Sequence, residues 1–276
     1  MGRLTARRKV LRLGGQTPVE RPDTLVVEEP LEIRVGGRAL VVTMRTPGDD
    51  MDLAAGFLVS EGVVSETSDL RAIRYCAGAS GPGADEGNTY NILDVDLSPG
   101  VPAPDPSLER SFYTTSSCGL CGKASLDAVR TAARWSVADD PMTLTPAALA
   151  EMPERLREAQ RVFDKTGGLH AAGLFTAEGE LLVLREDVGR HNAVDKVVGW
   201  ALREGRLPLR GCVLLVSGRA SFELTQKAWM AGIPVLAAVS APSSLAVDLA
   251  EEAGMTLVGF LRGETMNAYA GTHRLT

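Results

Sequence analysis

A chain of 276 residues with 45% hydrophobic and 23% charged side chains can bury one large core, or a main domain with a smaller lobe, and has a globular composition. Only 5% of residues are aromatic, so that core rests on Val, Leu and Ala. No run approaches the ~18 apolar residues that span a bilayer, and the arginine-rich start lacks the apolar stretch of a secretory signal, so a cytoplasmic protein with no membrane partner is expected.

The net charge of −6 is unevenly placed. Residues 1–22 hold six basic side chains against Glu20 alone, a local +5 that leaves −11 on the remainder. Such a run reads as a solvated, disordered tail. A nucleic-acid arm is the alternative, but the acidic remainder offers no basic face and few aromatics for stacking, so no nucleic-acid partner is expected. Next, Leu31 to Val35 alternates, Gly36-Gly37 turns and Leu40 to Met44 returns, a predicted hairpin. Asp49 or Asp50 can cap a helix through Leu53, Phe57 and Leu58 to Gly62. Residues 77–88 read as a loop, Tyr90 to Leu97 as alternating strand, Pro99 to Pro106 as a proline-rich connection and Arg110 to Thr115 as a strand.

Residues 136–168 contain Pro141, Pro146, Pro153 and a mostly polar helix, a boundary or packed connector. From Ala171 onward short apolar runs alternate with helical patterns: Cys212 to Val216, Phe222 to Met230, Ile233 to Val239, Leu245 to Ala253 and Met255 to Leu261. This alternation predicts a layered α/β arrangement with a largely parallel sheet. The expected organisation is a basic tail (1–22), a β-rich N-terminal lobe (23–110) and an α/β core (111–276).

Four cysteines are present, and Cys118-Gly-Leu-Cys121 is the pair with chemistry in its spacing. Thr114-Thr-Ser-Ser117 precedes it and a helical stretch from Lys123 to Arg134 follows. Thiols before a helix N-terminus, with Lys123 nearby, are biased toward the nucleophilic thiolate. A zinc site would need further ligands, and neither Cys76, Cys212 nor the histidines supply ligand-like spacing, so no metal is expected. Zinc deamination is excluded on ligands: no His-x-Glu occurs, and Ser117 stands where that motif needs proline. The motif by itself leaves disulfide exchange and sulfur transfer both open.

Two strand-to-helix junctions, Ser217-Gly218-Arg219-Ala-Ser221 and Ala241-Pro-Ser-Ser244, have the small polar residues that favour phosphate at a helix start; ordinary capping by serine is the plainer alternative. The run Glu186 to Lys196 is the densest polar stretch. On a helix it places His191 and Asp195 one turn apart, with Val194, Val197 and Val198 buried. A salt-bridged helix face and a site remain equally open there. Gly167-Gly168-Leu169-His170 reads first as a helix stop and second as a functional loop.

Taken together, several stretches closely resemble the FdhD-type formate dehydrogenase accessory sulfurtransferase family. They include Glu28 to Ile33, Met44 to Asp49, Gly56 to Gly62, Thr115 to Gly122, Thr166 to His170, Arg185 to Lys196, Ser217 to Arg219, Ser221 to Leu224, Ala241 to Ala246 and Gly259 to Gly263. The resemblance covers about residues 24 to 270. It implies a three-layer, cytidine-deaminase-like α/β core with a mixed sheet, an N-terminal mostly β lobe and a homodimer. It further implies a sulfurtransferase that accepts sulfur from a cysteine desulfurase as a persulfide on the pair Cys118 and Cys121; of the two, Cys118, the N-terminal member and further into the loop, is the expected acceptor. The sulfur would pass to the bis-molybdopterin guanine dinucleotide form of the molybdenum cofactor, for formate dehydrogenase. That ligand is expected at Phe260, Leu261, Arg262, Gly263, Glu264 and Thr265, with Ser217, Gly218, Arg219 and His191. The competing classes are a thiol–disulfide oxidoreductase and a non-catalytic cofactor-binding chaperone.

Overall fold

The computed structural model describes residues 4–15, 17–76, 90–105 and 133–276. Cys118 and Cys121 lie outside these residues, as do the loop expected at 77–88, the strand expected at 110–115 and most of the helix expected over 123–134.

The basic N-terminal segment is built differently from expectation. Strands β1 (Thr5–Arg12) and β2 (Val19–Val26) pair antiparallel as a two-stranded ribbon. Backbone pairing, extended by Val27 N donating to Leu4 O at 3.0 Å, gives this charged segment an order that its composition hides. Strands β3 (Glu29–Val35) and β4 (Arg38–Arg45) form the predicted hairpin, with Gly36 and Gly37 at φ 56° and 80°. With β5 (Leu70–Tyr75) and β6 (Ile92–Leu97) they make a four-stranded sheet of order β4-β3-β6-β5.

Helix α1 (Asp50–Ser60) follows β4, but neither aspartate caps it as expected. Asp49 occupies the N-cap position at φ 53° without a side-chain cap. Asp50 is instead consumed by the buried Arg45, whose Nε and Nη2 donate to its carboxylate at 3.2 and 3.0 Å.

In the second half, α2 (Pro146–Ala159) starts on Thr145, whose hydroxyl accepts from Ala148 N. The short α3 (Phe163–Thr166) stops at Gly167 in the left-handed region, φ 66°, as the Gly-Gly pair predicts. Then come β7 (His170–Thr176), β8 (Leu181–Asp187), α4 (Arg190–Arg203), β9 (Cys212–Val216), α5 (Phe222–Met230), β10 (Val235–Ala238), α6 (Ser244–Ala253), β11 (Thr256–Arg262) and β12 (Thr265–Ala270). The six strands order as β12-β11-β10-β9-β7-β8. Only β9, β10 and β11 run parallel; β7, β8 and β12 join antiparallel, so the sheet is mixed rather than largely parallel.

The two-residue period of the strands divides the core between the faces of this sheet. Val213, Leu215, Val235 and Ala237 bury against Leu149, Met152 and Leu156 of α2. Leu214, Val216, Leu236 and Ala238 belong to a larger cluster with α1, α4, α5, α6 and the N-terminal sheet residues Leu31, Ile33 and Leu93. The N-terminal β-rich part and the α/β part therefore share one core. At their join, α1 and α4 cross backbone to backbone. A Cβ on Gly56 would overlap the carbonyl of Asp195, and one on Gly199 would overlap that of Asp52 while lying 2.6 Å from Gly56 N.

Candidate functional site: one edge of the mixed sheet

Parallel strands followed by helices gather loops at one sheet edge, and hydrogen bonds here stitch those loops together. Ala171 N donates to Ser217 Oγ at 2.9 Å and Ser217 N to Ala171 O at 3.0 Å. Ser240 N donates to Gly218 O at 3.3 Å, and Phe260 N to Ser240 O at 3.1 Å. The starts of α4, α5 and α6, at Arg190, Phe222 and Ser244, all open onto this edge. Three sets of free backbone N–H groups thus face one region, an environment that favours anions.

The two serine junctions behave differently. Ser243 Oγ accepts from Ala246 N at 3.3 Å, which is ordinary capping. Ser221 holds the N-cap position of α5 without capping it, and its Oγ is buried with no partner.

Most of the predicted binding residues lie on this edge. Ser217, Gly218 and Arg219 form the loop after β9, with Arg219 exposed. Phe260 is exposed at φ 52°, a conformation rare for a bulky side chain, at a break in the β11–β12 register. Arg262 is exposed and its Nε donates to Val239 O at 3.3 Å. Gly263 turns at φ 53° beside the exposed Glu264, and Thr265 Oγ1 donates to Arg262 O at 3.0 Å. Leu261 is the exception. It is fully buried in the cluster under α2, so its side chain serves packing and leaves only backbone for a ligand.

His191 begins α4, with Nε2 3.7 Å from Glu223 Oε2 of α5. The other polar groups of its run are structural. Asp187, 0% exposed, pairs with Lys196 at 2.7 Å and accepts from Thr46 N, Gly189 N and Asn192 Nδ2. Asp195 binds Lys227 at 2.8 Å and accepts from Ser60 Oγ at 2.8 Å. Asp52, also buried, pairs with Arg185 at 2.8 Å and with Arg203. His191 and Asp195, expected on one helix face, therefore have separate partners.

Three further residues were not among those expected to bind, although Ser221 ends a junction read as phosphate-favouring, His170 ends the Gly-Gly loop and Arg190 lies in the dense polar run. His170, Arg190 and Ser221 stand beside the predicted set. His170 packs near Gly218 and lines a cavity of about 560 Å³ with Pro153, Leu156, Phe163, Ser217 and Val239. Burial pushes the His170 pKa below its ordinary value, and Arg190 and His191 push in the same direction against Asp187. Among the described residues no group of three or more His, Cys, Asp or Glu is arranged for a metal ion.

The model of the FdhD/NarQ family matches residues 26–276. The chain is 69% identical to the sulfur carrier protein FdhD of Streptomyces avermitilis, over 100% of this chain and 97% of that protein. It is 58% identical to the protein of the same name from Mycobacterium tuberculosis, over 100% of both. A crystal structure described as a formate dehydrogenase accessory protein from Desulfotalea psychrophila superposes with a TM-score of 0.76, covering 99% of this chain and 100% of that one. At 24% identity that likeness speaks to the fold alone.

Proposed function

Because the chain belongs to the FdhD/NarQ family, we propose that it is a sulfur carrier acting in the maturation of formate dehydrogenase. The observation that carries this reading is 58–69% identity, across essentially the whole of both chains, with proteins named sulfur carriers.

The chemistry begins at Cys118-Gly-Leu-Cys121. A thiolate, Cys118 in this reading, attacks the outer sulfur of a persulfide on a cysteine desulfurase. The new S–S bond forms on Cys118 as the donor's S–S bond breaks, and the donor leaves as its own thiolate. The Cys121 thiolate then attacks Cys118 Sγ, the persulfide S–S bond breaks, and the outer sulfur leaves at the sulfide level as a Cys118–Cys121 disulfide forms and supplies its two electrons. The acceptor is the bis-molybdopterin guanine dinucleotide form of the molybdenum cofactor, which is the client of the carrier and not its resident cofactor. The sheet edge supports the binding half of this role. Backbone N–H groups at three helix starts, Arg219 and Arg262 supply local positive potential in a chain of net charge −6. Phe260 presents an exposed ring to a base, and the Gly263 turn brings backbone close to the ligand. We place the protein in the cytoplasm as a homodimer.

Intact-mass measurement after incubation with a desulfurase and cysteine tests the carrier. One added sulfur atom, lost in Cys118→Ala, is the expected result. Sulfur on Cys121 alone reverses the assignment, and unimpaired formate dehydrogenase activation by the double cysteine variant removes the carrier role and leaves a cofactor chaperone. Titration with GDP, as a cofactor fragment, tests the edge: Arg262→Ala should weaken binding about 10-fold. Persulfide formation without any GDP binding favours thiol chemistry alone.

A further inference from the structure

Most of the exposed large apolar side chains among the described residues sit on one element. Leu4, Leu11, Leu13, Val19 and Leu25 belong to the β1–β2 ribbon, against Tyr90 and Phe260 elsewhere. Leu11, Leu13 and Val19, toward its tip, are 57%, 69% and 55% exposed. The ribbon meets its own body at the base, where Leu4 lies against Gly48 and Val26 against Gly168. From Arg7 to Arg12 and from Val19 to Pro22 both faces lie open, with Val10 alone half-buried. A two-stranded ribbon unsupported on either face is marginally stable at best, and apolar side chains grouped on such an element mark an interaction surface.

The charge of the ribbon defines what must cover it. The cross-strand register puts Arg8, Arg12 and Arg21 on one face with Val19 and Leu25. None of these arginines has an ion pair among the described residues. Asp23 is the single acid on that face, half-buried and accepting from Thr24 N at 3.0 Å.

A matching surface lies at the other end of the same chain. Helix α6 exposes Asp248, Glu251 and Glu252, spaced i, i+3 and i+4 on one face, and has no basic residue. Glu251 and Glu252 stand in its last turn, where the helix dipole is already negative, so a cation brought from outside stabilises the helix. Asp248 and Glu251 have no ion pair among the described residues, and the half-buried Leu245 and Val247 border them. Helix α2 also exposes acids, but it interleaves Arg155 and Arg157, and Arg155 pairs with Glu151. Within one molecule the ribbon and the α6 face stay apart. Leu4 lines a cavity with Leu184, Arg185 and Glu186 of β8, whereas α6 packs on β11 and β12. Those strands lie at opposite ends of the sheet, so β8 and β12 are five strand spacings, roughly 24 Å, apart.

We propose that the ribbon is an arm laid across α6 of a second copy of this chain, while the second copy's ribbon lies across α6 of the first. A two-fold exchange makes each contact twice and leaves no open end. It sets Arg8, Arg12 and Arg21 against the partner's acidic helix face, and it covers Val19 and Leu25 with apolar surface. The clasp rests on the homodimer of the preceding reading and names the surfaces that close it. The arm precedes residue 26, where the match to the family model begins.

The test is sedimentation equilibrium of the full chain and two charge-reversed variants. Wild type should dimerise, and more weakly as salt screens the charges. Arg12→Glu/Arg21→Glu and, separately, Asp248→Lys/Glu251→Lys should each raise the dissociation constant at least about 10-fold. In an equimolar mixture the two variants should recover dimer, because each arm then meets a helix face of opposite charge. All four side chains are exposed, and recovery in the mixture requires both variants to be folded. A monomeric wild type overturns the clasp. So does a dimer that survives either reversal, which would put the contact between copies elsewhere, or a mixture of folded variants (by circular dichroism) that stays monomeric. Intact mass on the same samples reads sulfur loading, so a failed carrier reading and a failed clasp give different results.

Discussion

Replacing Lys196 by Met should be among the costliest single changes in the chain. Its Nζ lies 2.7 Å from Asp187, with the two side chains 1% and 0% exposed, and it also donates to Thr46 O at 2.9 Å. Removing the ammonium leaves Asp187 charged in the interior with only neutral donors, from Thr46, Gly189 and Asn192. Breaking a buried pair in this way costs about 3–5 kcal/mol, roughly 6–20 °C in Tm for a chain near this size. Urea unfolding followed by circular dichroism measures it. The double variant Lys196→Met/Asp187→Asn should recover at least about 1 kcal/mol of the summed single losses, because the two residues act as one unit. A loss below about 1 kcal/mol for Lys196→Met, the value of an exposed pair, would refute the buried-pair account.

Gly199→Ala should cost about 3 kcal/mol or more, since the new methyl meets the Asp52 carbonyl and the Gly56 backbone, neither of which can rotate away; normal stability in a urea melt would mean the helices separate freely. His170 has a folded pKa below its ordinary 6.5, so the unfolded chain binds the extra proton more readily. Its contribution is present above pH 6.5 and lost as pH falls through the lower folded value. His170→Gln should flatten stability against pH in that window, and an unchanged profile would deny the effect. Burial pushes the Cys212 thiol up to about 11, so at pH 8 it should resist alkylation until urea unfolds the chain. Rapid labelling of Cys212 in the native protein, located by peptide mass, would contradict this.

What the sequence revealed follows the strength of its periodic signals. Cys212 to Val216 and Phe222 to Met230 coincide with β9 and α5, because a short apolar run and an amphipathic stretch are hard to mistake for each other. The ribbon of β1 and β2 was illegible, since charge masked the extended pairing and its partner strand supplies the order. The Glu186 to Lys196 run was legible as polar but not as scaffold. Its aspartates and lysine find partners in Thr46, Ser60 and Lys227, all remote in sequence. For the same reason Arg190 carried no signal of its own, and Ser221, legible as a capping serine, turns out to hold the N-cap position without capping.

The crossing of Gly56 and Gly199 bears on how this molecule can be taken apart or recombined. Each glycine is the floor on which the other helix rests, so a change at either place is a change to both halves of the chain. A fragment ending after the first sheet would carry α1 with a bare strip of backbone that only α4 is shaped to cover. Grafting that first half onto a distant relative's second half should succeed only where the relative keeps a glycine facing Gly56.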